Sequence, residues 1–209
     1  MDYKKHQLMK SIFFRAFEEN DYVLINKWRN DKNIQALTGG TFRYVSSQME
    51  KEWVKDKMFN NTKNIYLAIC LNDESHKIIG YCSINNIDYI NRSAEQGGLV
   101  IGDSDACDGT TWIDAITELI DYEFSQLNLN RVYGTSLVEH RTTRIMCEAS
   151  FQQIEGVGKQ VVYKNSSYHD VYFWALLRED YFRHKEAGDY EQDKMLKRIV
   201  ELRKKYRTR

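Results

Sequence analysis

The stretch from Ser93 to Val138 does most to limit the folds open to this chain. Ser93–Gly102 reads as a strand, a short polar loop follows Asp103, and from Gly109 onward Ile113, Ile116, Leu119, Ile120, Phe124 and Leu127 recur at helical spacing. That spacing puts one apolar face on a helix, which has to be buried against a sheet. Arg131–Val138 is β-rich again, so the helix over 109–127 carries the chain back to a parallel strand, the connection that needs a crossover of this length.

The remaining segments extend the same sheet. Ile12–Phe17 is a first strand, and the acidic run Glu18-Glu-Asn-Asp21 opens a helix over Tyr22–Arg29. After the break at Gly39-Gly40, Ser46 supplies a cap and Glu50 a carboxylate at the start of a second helix that ends near Phe59. Asn64–Leu71 and Lys77–Ile84 flank the polar turn Asn72–Ser75 as a hairpin, with Ser93–Gly102 as a further antiparallel strand. Glu139–Ala149 is a short helix, and Phe151–Val162 and His169–Leu177 close the sheet. The order βααββββαβαββ is an α+β arrangement with no internal repeat and no loop long enough to divide it.

At 209 residues the chain buries a core without disulfides or metals. Its 30 basic and 30 acidic residues balance, which argues against nucleic acid as a partner. Lys194–Arg209 nevertheless holds eight Lys/Arg against the single acid Glu201, leaving the first 193 residues net acidic. In that tail Met195, Ile199, Leu202 and Tyr206 are spaced as one helix face, so 182–209 reads as a basic amphipathic extension that packs on its own domain, 1–181, or on a twin subunit in a homodimer. Cys70, Cys82, Cys107 and Cys147 lack zinc-ligand spacing and fit a reducing, cytoplasmic compartment. No run reaches membrane-spanning length.

The segment Asn86-Ile-Asp-x-x-Asn-Arg-x-Ala-Glu-x-Gly-x-x-x-Ile-Gly-Asp103 resembles the third-to-fourth strand region of the GNAT superfamily, the acetyl-CoA-dependent N-acetyltransferases. The similarity runs from about Ser11 to Tyr181 and is nearest the branch acting on ribosomal-protein N-termini, spermidine and amino sugars. It implies a mixed, mostly antiparallel sheet flanked by helices. It also implies a fourth strand that splays from the fifth, so that Leu99, Val100 and Ile101 offer backbone groups to the pantetheine arm of acetyl-CoA as they would to another strand.

In the same family a glycine-rich loop and a helix N-terminus hold the pyrophosphate. The family glycines align here with Asp108, Thr110 and Trp112, leaving Gly109, Thr110 and Thr111 as the candidate donors. Asp108 either opposes the pyrophosphate charge or caps the helix that follows. Arg141 and Arg144 match positions able to reach CoA phosphate, or they pair with Glu148. The tyrosine that often protonates the leaving thiolate is replaced by Met146, and the asparagine at that helix start by Glu139.

The amine must lose a proton before or during attack, so the site needs a base. Glu95, in the matching Ala-Glu pair, and His140 are the candidates; Glu95 equally suits a pair with Arg92. Trp28-Arg29-Asn30-Asp31 resembles an acceptor-side signature of amino-sugar N-acetyltransferases, which makes Trp28, Arg29 and Arg43 candidate substrate contacts; Trp28 also reads as core. The resemblance implies acetyl transfer to a primary amine of an amino sugar, a polyamine or a protein N-terminus. The alternative is a non-catalytic binding or regulatory protein on the same scaffold.

Overall fold

The computed structural model describes residues 10–36 and 38–207. The β-rich runs form β1 (Ile12–Ala16), β2 (Ile65–Leu71), β3 (Ile78–Asp88), β4 (Ser93–Gln96), β5 (Val100–Ile101), β6 (Arg131–Leu137), β7 (Gln153–Lys164) and β8 (Ser167–Leu177). They pair in the order β1-β2-β3-β4-β6-β8-β7, with β5 attached to β3. Every pairing is antiparallel except β4 with β6, the step bridged by the long amphipathic helix.

The helices are α1 (Tyr22–Arg29), α2 (Lys32–Ala36), α3 (Ser47–Phe59), α4 (Thr111–Asp121), α5 (Arg141–Ala149), α6 (Arg178–Glu186) and α7 (Gln192–Lys205). They divide between the faces of the sheet by strand alternation. Ala68 and Cys70 of β2 pack with Ile25 and Trp28 of α1 and Val54 of α3, whereas Ile69 joins the larger core with α4 and α5.

Three features depart from the expected elements. The expected strand 93–102 is two strands, because Gly97–Leu99 leaves the ladder with β6. The helix after the loop starts at Thr111 rather than Gly109, and its last turn widens so that Leu127 N–H donates to Tyr122 O (3.0 Å), a π-helical turn that buries Glu123 and Phe124. The short α2 had no sequence signal strong enough to register, and the extension expected over 182–209 is two helices, α6 and α7, with a break at 187–191.

Ser46 caps α3 by accepting from Met49 N–H (3.2 Å). Met195, Ile199 and Tyr206 of the basic tail are buried in the same core as α4 and α5, with Leu202 half-buried beside them. Arg198 donates to Ala149 O (3.0 Å) and Gln192 to Asp114 Oδ1 (3.0 Å), so the C-terminal helix is fastened to both helices that flank the parallel step.

Candidate active site

The parallel pairing of β4 with β6 covers only Ser93↔Arg131, Ala94↔Val132 and Glu95↔Tyr133. Beyond Gln96 the chain stays with β3, as Gly97 N–H donates to Ser83 O (2.8 Å), while β6 continues to Leu137 paired with β8. A Cβ at Gly97 would lie 2.0 Å from Ser83 Oγ, so this departure requires glycine. The two strands open as a wedge. Gly102 N–H is tied to Ile79 O (2.8 Å) and Val100 lies opposite Tyr81, so alternation turns the N–H and C=O of Ile101 toward the open side.

The wedge opens into a cavity of about 520 Å³. Leu99, Val100 and Ile101 line one side and Thr135, Ser136 and Leu137 the other. Glu95 sits at the vertex, where its Oε2 accepts from Asn86 Nδ2 (2.9 Å). His140 lies at the mouth, with Nδ1 in contact with the Thr143 hydroxyl. Burial and the nearby Lys164 ammonium push its imidazole below the usual value, against a smaller opposing pull from Glu139. His140 is therefore neutral at physiological pH and competent to accept a proton.

Lys164 is buried and donates to the carbonyls of Gln35 (2.9 Å), Ala36 (3.1 Å) and Thr38. Thr41 Oγ1 adds a bond to Tyr163 O (2.7 Å). Together they hold the α2 segment against the β7–β8 hairpin, which fixes Ile34, Thr38 and Gly39 along the cavity wall.

The helix end of the cleft is built differently. Asp108 Oδ1 accepts from Thr110 N–H (2.8 Å), Thr110 Oγ1 (2.7 Å), Thr111 N–H (2.9 Å) and Thr111 Oγ1 (3.0 Å). These bonds hold the carboxyl below its usual range. Asp108 lies two residues before Thr110, the N-cap of α4, and spends the N–H groups of Thr110 and Thr111 on its own charge. Gly109 has open space where a Cβ would stand, so its glycine serves no close approach. Trp112 is exposed and borders the cavity.

The structure gives the candidate arginines other partners. Arg144 Nε donates to Glu148 Oε1 (2.9 Å) and its guanidinium lies 4.3 Å over the Tyr206 ring; Arg141 donates to Arg203 O (2.9 Å) on α7. Both face the C-terminal helix and neither lines the cavity. Arg29 pairs with the fully buried Glu50 (2.8 Å) over the Trp53 ring, and Trp28 is buried against Gly102, where a Cβ would meet its ring at 2.1 Å. Trp28 and Arg29 therefore shape the wall from behind, and Arg43 is exposed on the loop between α2 and α3. Glu95 has Asn86 rather than Arg92 as its partner.

Several wall residues carried no sequence signal. Thr142 and Thr143 stand in the first turn of α5, where the step from His140 into a helix was the available clue. Gln96, Gln152 and Trp174 converge from three separate strands and loops.

The profile of the acetyltransferase (GNAT) domain matches residues 11–150. The chain belongs to the GNAT acetyltransferase family. Similar proteins include YdaF of Bacillus subtilis, which carries the name of a ribosomal N-acetyltransferase, at 30% identity over 50% of this chain and 56% of that protein. The spermidine N(1)-acetyltransferase of Vibrio cholerae is 25% identical over 82% of this chain and 96% of its own length. A solved structure of the Vibrio cholerae spermidine N-acetyltransferase with CoA and spermine superposes with a TM-score of 0.72, at 24% identity, covering 82% of this chain and 98% of that one. The mixed sheet with flanking helices expected from the sequence is thus the GNAT fold. Among the described residues, no group of three or more His, Cys, Asp or Glu is placed to hold a metal ion, and no helix is long and apolar enough to cross a membrane.

Proposed function

We propose that this GNAT enzyme transfers an acetyl group from acetyl-CoA to a primary amine in the wedge between β4–β5 and β6. The open backbone edge at Leu99–Ile101 carries the reading, since it offers the pantetheine amides the hydrogen bonds of an added strand whatever the side chains are. The pyrophosphate then lies toward the start of α4, where Asp108 competes for it. Arg141 and Arg144 reach CoA phosphate only by releasing Arg203 O and Glu148.

The amine nitrogen forms a bond to the acetyl carbon, the carbon–sulfur bond breaks, and CoA departs as its thiolate. His140 accepts the proton released from nitrogen, with Thr143 holding the ring, and Glu95 orients the amine at the vertex. Met146 borders the cavity and supplies no acid, so the thiolate leaves as such and takes its proton from solvent. Among the described residues Glu95 is the single carboxylate on the cavity wall, which favours an acceptor with one positive charge, a peptide N-terminus or an amino sugar, over a polyamine. Its free cysteines fit a cytoplasmic enzyme.

The test is amine-dependent release of CoA thiol from acetyl-CoA, screened over peptide N-termini, amino sugars and spermidine. His140→Ala is expected to lower kcat by about 10²–10⁴ with bound acetyl-CoA retained. Binding of acetyl-CoA with no turnover on any amine would overturn the transfer reading.

A further inference from the structure

On the α4 side of the wedge, the wall beneath its vertex is made of neutral polar groups. Gln96 lies two residues from Ala94 and Trp174 two from Leu176, so both share the face that packs on α4. The Trp174 ring covers Gly134, where a Cβ would come within 2.5 Å of it. Gln152 donates to Gln96 Oε1 (3.2 Å), and Gln96 donates to Glu123 Oε2 (2.9 Å). Glu123 is fully buried in the π-helical turn, and burial raises its carboxyl well above the ordinary range, which keeps it neutral. This brace fixes the Gln152 amide.

Four buried atoms at the cavity and its brace have no hydrogen-bond partner among the described residues: Asn85 Oδ1, Glu123 Oε1 and, on this wall, the acceptor of Gln152, Oε1, and the donor of Trp174, Nε1. Gln152 and Trp174 both line the cavity and are more than nine-tenths buried, at 3% and 6% exposure. Buried polar groups in this state cost stability unless something pairs with them. The direction of the cleft says what reaches them. With pyrophosphate near the start of α4 and pantetheine along Ile101 to Leu99, the reacting end of the donor arrives at Gly97 and Gln96, on this wall.

We propose that Gln152 and Trp174 form an acyl subsite with one acceptor and one donor, so that the enzyme takes, besides acetyl, short acyl groups bearing a neutral hydroxyl or amide and prefers them to hydrocarbon chains of equal length. Glu123 and Gln96 are positioning residues for this subsite. The inference rests on the transferase reading above, because it needs the acyl-CoA to lie in the wedge.

The experiment is calorimetric titration of the full chain with CoA, butyryl-CoA and 3-hydroxybutyryl-CoA. The wild-type protein is expected to bind the hydroxyacyl donor about tenfold more tightly than butyryl-CoA. Gln152→Leu and Trp174→Phe are each expected to bring that ratio toward one with CoA affinity unchanged. Glu123→Gln should keep the ratio and Glu123→Leu should lose it. Should the tryptophan variant not fold, the wild-type comparison and Gln152→Leu decide alone. Equal affinity for the two acyl donors would overturn the subsite while leaving the transferase reading intact, since a pantetheine amide on these atoms would serve both donors alike. A ratio unchanged in Gln152→Leu would also overturn it. Absence of binding by CoA itself would overturn both.

Discussion

The strand end and the helix end of the proposed donor cleft are built from different materials. In the proposed reading the donor meets backbone along Leu99–Ile101, and the side-chain demands are glycines, Gly97 where the strand leaves its neighbour and Gly102 against Trp28. At the start of α4 the anion site depends on which residues leave N–H groups free, and Asp108 binds those of Thr110 and Thr111. Backbone sites tolerate sequence change, whereas a loop that cradles phosphate is undone by one carboxylate in the wrong place. The strand end of this chain therefore presents an open backbone edge, and the helix end is organised around an internal charge.

The largest expected effect comes from closing the strand end. Ile101→Pro removes the N–H turned to the open side and is expected to weaken CoA binding about tenfold to hundredfold, read by calorimetry. The melting temperature should stay close to wild type, since that N–H faces away from β3. Equal affinity in the variant would break the contrast, because it would place recognition elsewhere. At the helix end Asp108→Gly works in the opposite sense. Freeing two amides and removing a like charge should tighten CoA binding by about tenfold, while loss of the Asp108 hydrogen bonds to Thr110 and Thr111 lowers stability by about 1 kcal/mol.

Glu123 sharpens the comparison by asking what holds the vertex. Its folded-state pKa is raised, so above about pH 4.3 the unfolded chain loses a proton that the folded chain keeps. Stability then falls as pH rises toward the folded value, by about 1.4 kcal/mol per pH unit within that window. Glu123→Gln should remove the slope, so that its thermal melts match wild type near pH 4 and exceed it at pH 8. The smallest effect lies at the mouth. Lys164→Met takes away the cation that disfavours protonated His140, so the acid limb of the pH–rate profile should move up by a fraction of a unit. A downward move would show that the limb belongs to another group.

Much of the fold was legible because periodicity reports which face is buried. The α4 stripe and the Met195–Tyr206 stripe both lie in one core. The broken strand was not legible, because the pairing limit between β4 and β6 is a tertiary property set by the crowding of Gly97 against Ser83 and Asn85. In the site, the wedge residues could be named from the Ala-Glu motif, since only their position mattered. The arginines were harder to place. Arg29 is committed to Glu50, 21 residues away, and Arg144 is shared between Glu148 and Tyr206, the latter from the far end of the chain. Gln96, Gln152 and Trp174 gave no signal at all, as such residues in or beside strands are common and only their convergence on one cavity makes them notable.

The division between a retained strand end and an altered helix end is tested most directly by titrating wild-type protein and Asp108→Gly with CoA at low and physiological salt. The account predicts that wild type binds CoA, that Asp108→Gly binds it about tenfold more tightly, and that the gain shrinks as salt screens the charge. No binding by either protein at millimolar ligand would contradict it and leave a scaffold turned to another use.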